Sequence, residues 1–313
     1  MERFIQINDI PASLWSDSKQ TLFLPELLVE SWKVLLNENV LEDKAIQQAP
    51  SGFTGGMSKS DTDKHLAWRY TGSCGRVVMT AIDPKGHLNE VSDAYAKTFS
   101  GNRVLLADLP CGSGAGSISI ITTLIELRKY GVLPRIPLSI KVVAADISQY
   151  ALDYCSRQLD SIKSLATEQA IDIEYETFRW DVLDKVSTSD LIGRLTILNQ
   201  YCDHRLLLLT NFTDFLEKNN KWKEAEPQFE QIFISSRGES STAIWIEPGH
   251  NITINFFNRL VTFFNKFLNT LKKSIPNISS DYAKTGSKCK HPLKEHLFNV
   301  SLNVKRFQLP TKD

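Results

Sequence analysis

Residues Val104 to Gly116 read VLLADLPCGSGAG, and the reading of this stretch decides the fold. The apolar run Val104 to Ala107 has the pattern of a short buried strand; it ends on an acid, Asp108, and breaks into a loop carrying Gly112, Gly114 and Gly116. From Ser117 the sequence SISIITTLIELRKY reads as a helix. A strand that turns through glycines into a helix exposes backbone N–H groups at the helix N-terminus and lets a ligand approach the main chain closely. The stretch is expected to hold a cofactor; the plain alternative is a glycine turn in some other α/β protein.

The residues around the glycines choose among cofactors. A dinucleotide fingerprint wants G-x-G-x-x-G and an acid about twenty residues on. Here the glycines stand at 112, 114 and 116, and the next strand-end acid, Asp146, lies 32 residues past Gly114. The order acid, x, x, Cys, Gly, Ser, Gly resembles instead the first motif of class I S-adenosylmethionine-dependent methyltransferases, D-x-G-x-G-x-G, with Pro110 where that family has its first glycine.

The rest of the chain is read outward from this motif. Strands are expected at Val104 to Asp108, Leu138 to Ala145, Ile171 to Phe178, Arg205 to Thr210, Ala243 to Glu247 and Phe298 to Phe307, with helices at about 116–130, 148–165, 188–200, 213–233 and 252–273. Strands separated by helical crossovers imply an α/β fold: a mostly parallel sheet with helices on both faces and a ligand outside the carboxyl ends of the strands. The alternating final strand, FNVSLNVKRF, resembles the antiparallel last strand with which class I methyltransferases close their sheet.

Upstream, a helix is expected from Pro25 to about Gln48, with Leu28, Trp32, Leu35 and Leu36 on its inner face. Pro50 to Ser60 (PSGFTGGMSKS) is a breaker; a helix then starts near Ser60, with Arg76 to Ile82 open to a strand reading. Residues 1–100 are therefore expected as a mostly helical cap over the carboxyl edge of a Rossmann-like methyltransferase domain at 101–313.

The resemblance assigns roles by position. Asp108, Pro110, Gly112 and Gly114 fall in the first cofactor motif. Asp146, with Ile147 after it, falls where the family binds the ribose, and a carboxylate there accepts from both hydroxyls. Asp181 and Val182 match the adenine-edge contact, with Trp180 or Val182 available to pack on the ring. The plainer reading of Asp146 and Asp181 is that each caps the helix after it. Asn211, Phe212 and Thr213 follow the fourth strand where the family shapes its acceptor pocket, and Glu247 and His250 follow the fifth. Asn211 is a candidate to orient the acceptor and Glu247 a candidate proton acceptor, the alternatives being a turn residue and a rim acid. The implied activity is methyl transfer from S-adenosylmethionine to an acceptor for which RNA or another nucleic acid is the first expectation and a small molecule or protein the alternative. In-line displacement on an activated carbon needs orientation more than a dedicated base. The rival is a catalytically inactive member kept as a binding or scaffold subunit with a protein partner.

Bulk properties constrain partners. The chain has 313 residues, 42% apolar, and zero formal charge, so any attraction to nucleic acid is local. Lys266 to Asp313 carries seven more basic than acidic residues, which reads either as an RNA or DNA phosphate track or as a solvated face. Cysteines 74, 111, 155, 202 and 289 are scattered, as expected for reduced thiols in a cytoplasmic protein, and Cys111 is read as structural. Cys289, His291 and His296 lack a fourth ligand at sensible spacing, so no metal site is expected. No export signal or membrane span is read.

Overall fold

The glycine stretch occupies the centre of a sheet. The computed structural model describes residues 3–50, 56–250, 255–263 and 282–309. Two short strands, β1 (Trp15–Ser16) and β2 (Thr21–Leu22), precede the helices α1 (Glu26–Glu38), α2 (Glu42–Ala45), α3 (Lys59–Trp68), α4 (Tyr70–Ile82) and α5 (Asn89–Thr98). The alternation then begins: β3 (Asn102–Asp108), α6 (Ala115–Lys129), β4 (Leu138–Asp146), α7 (Gln149–Glu168), β5 (Ile171–Arg179) and α8 (Lys185–Asn199). It continues with β6 (His204–Thr210), α9 (Thr213–Lys218), α10 (Trp222–Ser235) and β7 (Ser241–Pro248), a helical run over 255–263, β8 (Ala283–Lys290) and β9 (Leu297–Gln308).

Among the described residues nine strands form one sheet in the order β1-β2-β8-β9-β7-β6-β3-β4-β5. The run β7-β6-β3-β4-β5 is parallel, while β9 lies antiparallel between β7 and β8. The molecule is thus α/β with a mixed, mostly parallel sheet. From β3 the chain moves to β4 on one side and later to β6 on the other, so the strand order reverses at β3, and a crevice opens between such neighbours at their carboxyl ends.

The two-residue period of the central strands sorts their side chains into two cores. Val104, Leu106, Ile140, Val142, Leu206, Leu208 and Ile244 face one side, where they join Trp32, Leu36, Tyr70 and Val78 from the N-terminal helices. Leu105, Ala107, Val143, Leu207 and Trp245 face the other, against Leu195, Phe229, Phe233 and Phe256. The first hundred residues therefore share a core with one face of the sheet. They also reach its edge: Thr62 and Ser148 hydroxyls lie 3.2 Å apart, and Arg76 reaches Asn211.

Several expected elements change. The helix from Pro25 stops at Glu38, because Val40 turns left-handed (φ +55°) and Leu41 N–H closes on Leu36 O at 2.8 Å, the hydrogen-bond pattern of a helix end. Arg76 to Ile82 is helix, within α4. The N-cap of α3 is Ser58, which accepts from Asp61 N–H. The helix expected over 213–233 breaks at Asn220 (φ +53°) into α9 and α10. Strand β8 went unread because its outward residues are Lys284, Lys288 and Lys290; it is held by pairing with β9 and β2. Residues 51–55 of the Gly/Ser loop lie outside the described residues. So do most of the helix expected over 252–273 and Lys266, Lys272, Lys273 and Lys312 of the basic region. No described helix is long and apolar enough to cross a membrane.

Candidate functional site

The loop after β3 is stitched to both neighbouring strands. Leu109 N–H donates to Leu208 O and Cys111 N–H to Ala145 O, each at 2.9 Å, so the loop straddles the reversal point. Three glycines in it serve three ends. Gly112 adopts φ +52° and has open space where a side chain would stand. Gly114 (φ +88°) begins α6 and lies so close to α7 that an added Cβ would meet Cys155 Sγ at 2.9 Å. At Gly116 the same Cβ would come within 2.7 Å of both Asp108 carboxylate oxygens. Cys111 is buried beneath the loop, its thiol pushed up by burial and by neighbouring Cys155.

Asp108 is sealed under this loop. One carboxylate oxygen accepts from Ser117 N–H at 2.7 Å at the start of α6, and burial raises the group to about 7. Its place is that of a brace for the helix N-terminus. Asp146, half-buried at the end of β4, faces the same loop: Oδ2 accepts from Gly112 N–H at 3.0 Å and Oδ1 from Ser148 N–H at 2.9 Å. Burial raises its pKa, and those backbone bonds oppose the rise. Each oxygen retains accepting capacity beyond its backbone bond, which suits a pair of vicinal hydroxyls. Ile147 is half-buried in the turn that follows.

Beyond β5, Asp181 Oδ1 accepts from Leu183 N–H at 2.9 Å, while Asp184 caps α8. Trp180 and Val182, expected beside an adenine ring, are instead in the second core, where Trp180 Nε1 donates to Thr188 at 3.1 Å and its ring packs edge-on against Phe229. Tertiary packing took both apolar side chains away from the rim.

Across the reversal point the loop after β6 is held from below. Glu247 is fully buried, and its Oε1 accepts from Phe212 N–H (2.7 Å), Thr213 N–H (3.1 Å) and Trp245 Nε1 (2.8 Å). Burial raises it to about 7, and Oε2 has no hydrogen-bond partner. Phe212 stacks on Phe215, with centroids 5.2 Å apart. Asn211, left-handed at φ +56°, receives Arg76 Nε on Oδ1 at 2.8 Å. Arg76 and Asn211 lie 135 positions apart, so no local pattern in the sequence pairs them. His65, half-buried one turn before α4, is pushed down to about 4 by burial and then by Arg69 and Arg76.

Gln158 on α7 ties the loop to the N-terminal helices. Its Nε2 donates to Ser113 O at 2.6 Å, and its Oε1 accepts from Tyr70 OH at 2.7 Å and from Ser31 Oγ at 3.2 Å, all buried. No sequence motif marks it.

Two surface hollows lie at the opposite edge of the sheet. One of about 420 Å³ is lined by Asn102, Leu138 and Ile171, and one of about 300 Å³ by Asp203, Gly238 and Ser241. The carboxyl ends of the strands and the N-termini of α6, α7 and α8 meet at the other edge, so the loops there form the candidate site. Among the described residues no three metal-ligating side chains cluster. His291 packs edge-on against Trp32 and stacks on His296.

No protein-family model matches this chain, and no curated protein matches it. Among solved structures, that of Pichia pastoris phosphofructokinase in the T-state is similar over 89% of this chain and 98% of that one, at 12% identity and a TM-score of 0.34. So loose a superposition transfers no residue role. What stands is the class of fold, α/β with a mostly parallel sheet.

Proposed function

We propose that the carboxyl edge binds S-adenosylmethionine and that the chain transfers its methyl group to an acceptor, with RNA the first to be tried. The observation that carries the reading is the bond between Gly112 and Asp146. It joins an open glycine turn at a helix N-terminus to a half-buried carboxylate at the tip of the next strand, beside the point where strand order reverses. The resemblance of the first motif, and the antiparallel β9 after the parallel run, support the same reading.

When bound, the cofactor supplies a methyl group on a sulfonium, already activated for displacement. Asp146 would take the ribose hydroxyls, with the side-chain-free turn at Gly112 beside it leaving room for the ligand, and Asp181 would serve the base. Asn211 and Phe212 would line the acceptor side, with Glu247 fixing their backbone. Because Glu247 already takes three donors on one oxygen, its part is to hold this loop in shape, and acceleration comes from orientation.

For RNA, Lys284 and Lys288 are exposed on β8, whereas Lys290 pairs with Glu295 at 2.8 Å and Lys305 is buried. The phosphate attraction therefore rests on fewer residues than the linear charge implies.

Titration calorimetry with S-adenosylmethionine and, in parallel, NAD tests the reading, on the wild type and on Asp146→Asn, which keeps the side-chain shape. The expected result is binding of the first ligand alone, weakened at least about tenfold in the variant. Failure of the wild type to bind, with no carried-over nucleoside seen by mass spectrometry, overturns it. Donor binding without turnover on RNA, DNA or protein would favour the scaffold alternative.

A further inference from the structure

Arg76 is carried by α4 to the carboxyl edge, half-buried, with two hydrogen bonds: Nε to Asn211 Oδ1 at 2.8 Å and one Nη to Ser73 Oγ at 3.3 Å. A guanidinium has five N–H donors and no acceptor, so further donors remain. Among the described residues it forms no ion pair. Two acids act on it without coming within ion-pair distance: Glu247, whose Oε1 holds the backbone of Phe212 and Thr213, and Asp214, whose Oδ2 pairs with Lys218 at 2.7 Å; Glu247 Oε2 and Asp214 Oδ1 have no hydrogen-bond partner. Burial lowers Arg76 only to about 10, so it is charged at neutral pH. A half-buried cation with no direct ion pair gains from a ligand that supplies one.

Asn211 adds a second donor. Because a guanidinium nitrogen only donates, the oxygen of the amide must face Arg76, and its NH2 group finds no acceptor among the described residues. The left-handed backbone at Asn211 and the loop held by Glu247 fix this orientation.

We propose that Arg76 and the Asn211 amide form an oxyanion subsite that takes a carboxylate or phosphate group of the ligand. The subsite itself stands apart from methyl transfer; naming its source rests on the proposed function. Under that reading the oxyanion is either the amino-acid carboxylate of the donor or a phosphate of the acceptor. Arginine suits both through paired, charge-assisted hydrogen bonds.

Calorimetry on the full chain separates the sources with S-adenosylhomocysteine, 5′-methylthioadenosine, which lacks the amino-acid carboxylate, and inorganic phosphate. If the donor carboxylate is bound, Arg76→Gln weakens S-adenosylhomocysteine at least about tenfold and leaves methylthioadenosine unchanged. If an acceptor phosphate is bound, both nucleosides are unchanged and phosphate binding is lost in the variant. Asn211→Ser, which removes the second donor from the other side, is expected to show the same pattern in weaker form, and serves if Arg76→Gln fails to fold. Unchanged affinity for all three probes in both variants overturns the proposal. Binding of phosphate but neither nucleoside by the wild type, lost in Arg76→Gln, would keep the subsite and sink the methyltransferase reading.

Discussion

Replacing Gln158 with leucine should cost far more than a change between side chains of similar size. The amide is 1% exposed and bonded to three partners from three parts of the chain. Leucine would strip Ser113 O of this donor and Tyr70 OH of its acceptor, whereas Ser31 Oγ keeps a bond to Leu28 O at 2.9 Å. Two buried polar groups stranded at about 1–3 kcal/mol each give roughly 2–6 kcal/mol. That is a large share of the ~5–15 kcal/mol that holds an ordinary domain folded. Tyr70→Phe removes one of the stranded groups, so Gln158→Leu with Tyr70→Phe should lose about 1–2 kcal/mol less than the sum of the single changes. Equilibrium unfolding in urea, followed by circular dichroism, measures all four corners of the cycle. A Gln158→Leu protein within about 0.5 kcal/mol of wild type, or strict additivity, would refute the network as a support of the glycine loop.

The glycines should separate stability from binding: Gly114→Ala meets Cys155 Sγ at 2.9 Å in a left-handed backbone and should cost about 2–4 kcal/mol, whereas Gly112→Ala meets nothing and should cost about 1–2. Thermal melts of the two variants, followed by titration of Gly112→Ala with S-adenosylmethionine, check the order; equal melting losses would contradict it. Glu247 should make the protein less stable as pH rises. Its folded value is about 7 against an ordinary 4.5, so the folded state keeps a proton that the unfolded chain releases. Stability should fall between about pH 4.5 and 7 by roughly 3 kcal/mol and then level. Asp108, raised to about 7, acts in the same direction. Glu247→Gln should therefore flatten the slope in part, as read by urea unfolding at pH 5 and pH 8; an unaltered slope would show that Glu247 is not protonated in the fold.

What was legible in the sequence was local. The strand-turn-helix at Val104 to Gly116 follows from an apolar run, closely spaced glycines and a renewed helical period, all within a few turns of backbone. Asp146 and Asp181 were readable as strand-end residues for the same reason. The antiparallel β9 showed in its alternation, whereas its partner β8 did not, because a strand with lysines outward carries little apolar pattern and is held by its neighbours' backbone. Burial and long-range pairing were decided only by the tertiary structure. It sealed Asp108 beneath the glycine turn, drew Trp180 and Val182 into the second core, and made Glu247 a support for the Asn211–Thr213 backbone. It also brought Arg76 onto Asn211 and Gln158 onto Ser113. A residue's chemical type and its neighbours along the chain determine its conformational preferences. Which distant group meets it, and whether water remains between them, depends on how the strands are ordered and which helices cover each face.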